Sequence, residues 1–103
     1  MSRSKILAID FDGTLFEDEY PKIGAPKRMI IARALIRQKQ GAKLILWTCR
    51  VDKRLEEAIE ACKPYGLIFD AINENLPETI KLFGGDPRKI FADEYWDDRA
   101  NIC

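Results

Sequence analysis

The segment Asp10-Phe11-Asp12-Gly13-Thr14-Leu15 sets two carboxylates two residues apart, where the apolar run Lys5-Ile6-Leu7-Ala8-Ile9 ends. Two like charges about 6 Å apart repel by roughly 3 kcal/mol even at an effective dielectric of about 20. A pair held that close calls for a cation or a shared proton. Asp12-Gly13 is also ordinary turn chemistry, so the pair alone does not fix a function. A second acidic pair, Asp97-Asp98, follows Tyr95-Trp96, and Thr48 and Arg50 follow another apolar run, Ala42 to Trp47. A hydroxyl and a guanidinium are suited to phosphoryl oxygens, the guanidinium in bidentate fashion. The set suggests a cation held among carboxylates, beside a group able to hold an oxyanion.

The chain has no histidine, and its three cysteines, Cys49, Cys62 and Cys103, are far apart without CxxC spacing. That argues against a Cys/His zinc centre. A metal here would be held by oxygen, which favours Mg²⁺ or Mn²⁺. Cys49 beside Thr48 lacks a histidine partner and is a poor nucleophile. Lys+Arg and Asp+Glu both number 17, so bulk charge offers no reason to expect polyanion or membrane-surface binding. No apolar run approaches the roughly 18 residues of a membrane helix. Strand character from Lys5 onward leaves no room for a leader, and the cysteine usage fits a reducing, cytoplasmic setting.

With 103 residues the chain is expected to form one domain spanning 1–103. Apolar runs alternate with amphipathic stretches. Strands are predicted over Lys5–Asp10, Ala42–Trp47, Leu67–Ile72 and within Lys89–Trp96. Helices are predicted from Pro26 to about Gln40, from an Asp52 N-cap to about Lys63, and from Pro77 to the Gly84-Gly85 stop. Arg28, Arg33, Arg37 and Lys39 are read as a solvated helix face, and Trp47, Phe69, Ile72 and Phe91 as core. This alternation implies an α/β fold of three layers, a parallel sheet of about four strands in a Rossmann-like arrangement with helices on both faces. Ligands of such sheets bind at the carboxyl ends of the strands, where Asp10, Thr48 and Asp97-Asp98 are expected.

The string from Asp10 to Leu15 resembles the DxDGT(L/V) nucleophile motif of the haloacid dehalogenase superfamily. The resemblance runs from Ile6 to Arg99 and rests on three short motifs. It implies sheet order 3-2-1-4 and a Mg²⁺-dependent phosphatase in which Asp10 attacks phosphorus and Asp12 acts as general acid, then base. Thr48 would bind a phosphoryl oxygen, with Phe11, Gly13, Thr14, Cys49 and Arg50 around the phosphate. Phosphatase domains of polynucleotide kinases show a similar segment at the Thr48 to Arg50 position. Tyr95-Trp96-Asp97-Asp98-Arg99 is similar to the acidic fourth motif of that family and of small deoxyribonucleotidases. Asp97 and Asp98 would complete a Mg²⁺ shell with Asp10 and the backbone carbonyl of Asp12, with Asp93 as a competitor.

The expected catalytic cation has no clear place. Asn73-Glu74-Asn75-Leu76-Pro77 carries none, so Lys81, one turn into the next helix, Arg50 and Arg54 stay open as candidates. Lys89, beside Arg88, is expected at the wrong edge of the sheet. Leu15 to Ala25 is about eleven residues, enough for a flap but not a cap domain. An open, capless site implies a phosphorylated small molecule, a nucleotide or a polynucleotide end as substrate, with a homo-oligomer as one way to supply a lid. The other reading is a non-catalytic phosphate- or Mg²⁺-binding module of the same fold.

Overall fold

The computed structural model describes residues 4–85 and 90–97. Eight segments follow in chain order: β1 (Ile6–Ile9), α1 (Arg28–Lys39), β2 (Lys43–Leu46), α2 (Asp52–Cys62), a 3₁₀ turn (Lys63–Tyr65), β3 (Ala71–Ile72), α3 (Pro77–Phe83) and β4 (Glu94–Trp96). The strands form one parallel sheet in the order β3-β2-β1-β4. β1 lies in the middle, with Ile6 opposite Lys43 and Ile9 opposite both Leu46 and Trp96.

Successive strand residues point to opposite faces, and both faces are covered. Leu7, Ile9, Leu44 and Leu46 pack with Ile31 and Ala34 of α1 and with Ala58 and Cys62 of α2. Ile6, Ala8, Ile45 and Ala71 face the other way, with Leu76 and Ala92. Thr79 of α3 is buried, and with Leu76 and Ile6 it lines the same recess. Burial on two sides is why β1 and β2 read as unbroken apolar runs. The chain steps β1 to β2 to β3 through α1 and α2 on one face and returns to β4 through α3 on the other, the three-layer arrangement expected.

Two boundaries differ from the sequence expectation for physical reasons. Asp52 is not the N-cap: Val51 is, in extended conformation, and Asp52 lies inside the first turn at φ +50°. Its carboxylate there still complements the positive end of the helix dipole. β3 begins at Ala71 rather than Leu67, because Leu67 is buried in the core and Asp70 engages β2 through its side chain. β4, inside the expected Lys89–Trp96 span, begins at Glu94 for a similar reason involving Asp93. Trp47, Phe69, Ile72 and Phe91 are half-buried and packed against the core rather than within it. Arg37 is not merely solvated: its guanidinium donates to both Glu94 carboxylate oxygens at 3.0 and 2.7 Å, tying α1 to β4.

Candidate active site at the carboxyl ends of the strands

Asp10 follows β1, and its backbone N–H donates to the Trp96 carbonyl at 2.9 Å. With Ile9 paired to Trp96 in register, Asp10 and Asp97 are adjacent at the ends of neighbouring strands, about 5 Å apart along the sheet's hydrogen-bonding direction. Asp10 is nearly buried, 8% exposed. Asp98 lies outside the described residues, as do Arg88, Lys89, Arg99 and Cys103. Asp93, the competitor for the acidic position, sits at the other end of the sheet: its Oδ2 accepts the Ile6 N–H at 2.7 Å. Three strand residues separate it from Asp97, so it is not at the Asp10 end.

The chain then closes a tight loop. The N–H groups of Thr14, Leu15 and Phe16 converge on the Phe11 carbonyl, and the Gly13 N–H donates to Phe16 at 2.7 Å. Gly13 stands at φ +90°, a conformation a side chain would resist. The Gly13 and Thr14 amides expected around a phosphate therefore point into the loop they close. The Thr14 hydroxyl is buried with no hydrogen-bond partner among the described residues. Phe11 is fully buried and stacks on Phe16 at 4.9 Å, which anchors the loop to the core.

Asp12 turns to a different partner. Arg50 donates Nε–H to Asp12 Oδ2 and Nη2–H to Asp12 Oδ1, both at 2.7 Å. Arg50 is 1% exposed and is the largest fully buried side chain in the described structure. Its guanidinium lies 5.1 Å from the Phe11 ring centre and 5.0 Å from that of Tyr20. The hydrogen bond with Asp12, above all, holds the guanidinium pKa above its ordinary value. Thr48 is buried as well. Its hydroxyl accepts the Arg50 N–H at 3.2 Å, and its own N–H donates to Asn73 Oδ1 at 2.8 Å.

The candidate cations divide clearly. Arg50, expected on phosphate, is bound to Asp12. Arg54 pairs with Glu57 along α2 at 3.3 Å. Lys81 is exposed and lines a recess with Asp70, Glu74 and Pro77 beside β3. Lys27, which the sequence reading passed over, brings its Nζ to 2.6 Å from the Gly13 carbonyl. Lys27, Gly13, Thr14, Trp96 and Asp97 line one open cavity of about 420 Å³. The signal available in the sequence was Pro26-Lys27, a cation fixed just before a helix start. Asn73 was also missed. It sits at φ +53°, a left-handed conformation asparagine tolerates, with its side chain holding Thr48.

For a divalent ion the donor set is all oxygen, as a hard cation prefers. Asp10, Asp97 and the Asp12 carbonyl are the described groups at this end of the sheet. No group of three or more His, Cys, Asp or Glu residues arranged to hold a metal ion occurs among the described residues. Two carboxylates and a main-chain carbonyl would nonetheless suit Mg²⁺, which keeps several waters and takes few protein ligands; Asp98, expected beside them, lies outside the described residues.

No family profile and no curated protein matches the chain. A solved structure described as that of a conserved protein coded by a locus from Bacteroides thetaiotaomicron is similar to it, with 39% sequence identity and a TM-score of 0.82. The match covers 94% of this chain and 78% of that one.

Proposed function

The chain belongs to the same family as the conserved Bacteroides thetaiotaomicron protein, and we propose that it is a Mg²⁺-dependent phosphomonoesterase of haloacid dehalogenase type. The observation that supports this reading most is the pairing of Asp10 with the end of β4. Asp10, nearly buried and first in an Asp-x-Asp-Gly-Thr segment, follows the strand whose last residue pairs with Trp96, so its backbone lies beside Trp96-Asp97 at the carboxyl edge of a parallel sheet, where such folds bind ligands.

In this mechanism an Asp10 carboxylate oxygen attacks phosphorus in line. The phosphorus–oxygen bond to the leaving alcohol breaks as Asp12 gives that oxygen a proton. Asp12, now ionised, takes a proton from a water that attacks the aspartyl-phosphate, releasing phosphate and restoring Asp10. The Thr48 hydroxyl, whose oxygen accepts from the Arg50 N–H, keeps its own proton to donate to a phosphoryl oxygen. Mg²⁺ would be held by Asp10, the Asp12 carbonyl, Asp97 and Asp98, and when bound it neutralises negative charge at the reacting phosphate. Among the described residues nothing resembling a cap domain covers this edge. That favours small phosphomonoesters, nucleotides or polynucleotide ends, with a second copy of the chain as a source of a lid.

The test is turnover of an aryl phosphate with and without Mg²⁺, in the wild type and in Asp10→Asn. Turnover should require the ion and vanish in the variant, whose circular dichroism stays native. Undiminished activity of Asp10→Asn would refute the nucleophile assignment. Metal binding without turnover in the wild type would favour the non-catalytic module instead.

A further inference from the structure

Arg50 was expected to reach phosphate, yet its hydrogen bonds leave it no donor for one. A guanidinium has five N–H groups and no acceptor. Nε–H and one Nη2–H go to Asp12; the other Nη2–H goes to the Lys22 carbonyl at 2.8 Å; Nη1 donates to the carbonyls of Pro21 at 3.2 Å and Arg54 at 3.5 Å. Four of these five bonds join just two places, the Asp12 carboxylate and the flap at residues 21–22. Tyr20, from the same flap, lies over the guanidinium and is itself 58% exposed.

We infer that Arg50 is a positioning residue that orients the Asp12 carboxylate and locks it to the flap, so that ordering the flap and aiming the general acid are one event. The inference rests on the phosphatase reading above and goes beyond it in assigning the motif arginine to the acid rather than to the phosphate. The geometry permits the role. An ionised carboxylate offers about four lone-pair sites, and a bidentate arginine takes one on each oxygen. Asp12 therefore keeps a free lone pair for the proton it gives to the leaving oxygen and later takes from water. A fork with two parallel bonds fixes the carboxylate plane, which a lysine at the same place cannot do. Carbonyls of Pro21 and Lys22 hold the same guanidinium, so the flap and the Asp12 carboxylate share one anchor.

The discriminating readout is dependence on the leaving group. An alcohol with a high pKa needs the proton from Asp12, and a nitrophenolate hardly does. Steady-state kinetics of Arg50→Lys are compared on an alkyl phosphate and on p-nitrophenyl phosphate, both with Mg²⁺. General acid catalysis contributes typically 10²–10⁴-fold, so kcat for the alkyl ester should fall by about 100-fold and kcat for the nitrophenyl ester by under about 10-fold, with KM little changed. In an Asp12→Asn background the same substitution should add almost nothing. Equal losses on both esters would overturn the inference and leave the phosphatase reading intact, as would a raised KM with kcat preserved, the mark of a phosphate ligand. A wild type inert on every ester sinks both together. Should Arg50→Lys fail to fold, Tyr20→Leu keeps Arg50 and Asp12 and removes a ring from the flap side. It should show the same preference for the nitrophenyl ester in weaker form, and its absence there also overturns the inference.

Discussion

Aspartates stand at both ends of the sheet, and the two groups do different work. At the amino ends, Asp93 and Asp70 repeat one arrangement. Asp93 N–H donates to the Ile6 carbonyl at 2.8 Å while its Oδ2 accepts the Ile6 N–H; Asp70 N–H donates to the Leu44 carbonyl at 2.8 Å while its Oδ2 accepts the Leu44 N–H. Each carboxylate replaces a missing ladder partner and starts a strand. At the carboxyl ends, the Asp10 backbone N–H joins the ladder at the Trp96 carbonyl, and Asp12 is oriented by a buried guanidinium. The difference teaches that residue type and local acidity do not mark a site. The carboxylates of Asp93 and Asp70 complete a strand's own hydrogen bonding, whereas that of Asp12 is held by a side chain from another element.

The sharpest way to break this contrast is to substitute one aspartate at each end. Asp12→Asn should lower kcat on an alkyl phosphate by about 10²–10⁴-fold, with a smaller effect on the urea midpoint, because the amide still accepts one bond from Arg50. Asp93→Ala should do the reverse. Removing the acceptor leaves a strand N–H unsatisfied, at a cost of about 1–3 kcal/mol, while kcat per folded molecule stays at the wild-type value. Kinetics and urea unfolding on both variants test the pair. If Asp93→Ala loses turnover with its stability intact, the division between the two ends is wrong.

The same contrast explains what the sequence made legible. Strand and helix order, the parallel sheet and the Asp10, Thr48 and Asp97 strand ends follow from apolar periodicity and punctuation, which are local signals. Asp93 was legible only as one more acid near Trp96, because its role depends on register with Ile6, 87 residues away. Arg50 was placed on phosphate because nothing local announces that the flap carbonyls at residues 21 and 22 would claim its remaining donors. Lys27 and Asn73 were missed for a similar reason: each acts on a residue 14 or 25 positions distant, Gly13 and Thr48. The local pattern of strands and helices was readable from the chain, and partnership across elements was not.

A second test concerns the link between β4, which presents Asp97, and α1. The Glu94 carboxylate accepts from Arg37 and from the Trp96 indole N–H at 3.0 Å. The Arg37 hydrogen bond, then that from Trp96, lowers its pKa from 4.5 to about 2. A depressed folded-state value means the stabilisation is present above about 4.5 and is lost as pH falls towards about 2. Glu94→Gln should therefore be less stable than wild type at pH 7 and converge on it near pH 2. The carboxylate side chain is 39% exposed, so solvent screening keeps the effect within about 0.2–1 kcal/mol. Urea titrations across this range check it, and a gap that widens on acidification would contradict the assignment.

The smallest effect is expected away from both ends, in the core between the sheet and α2. Cys62 is a free thiol that is fully buried, and burial alone pushes its pKa up to about 12. A thiolate is the reactive form, so at pH 8 Cys62 should resist alkylation in the native protein and react rapidly in urea. Peptide mapping after iodoacetamide treatment follows this residue separately from the other cysteines. Because α2 begins directly after the Thr48–Arg50 segment, its packing on the sheet supports the Arg50 backbone. Labelling of Cys62 should thus stay slow whether or not Mg²⁺ and phosphate are added, since neither end of the sheet needs α2 to move. Labelling that quickens on adding ligand would show that the core layer beneath the site opens during its function, and the division between a rigid scaffold and a working edge would have to be redrawn.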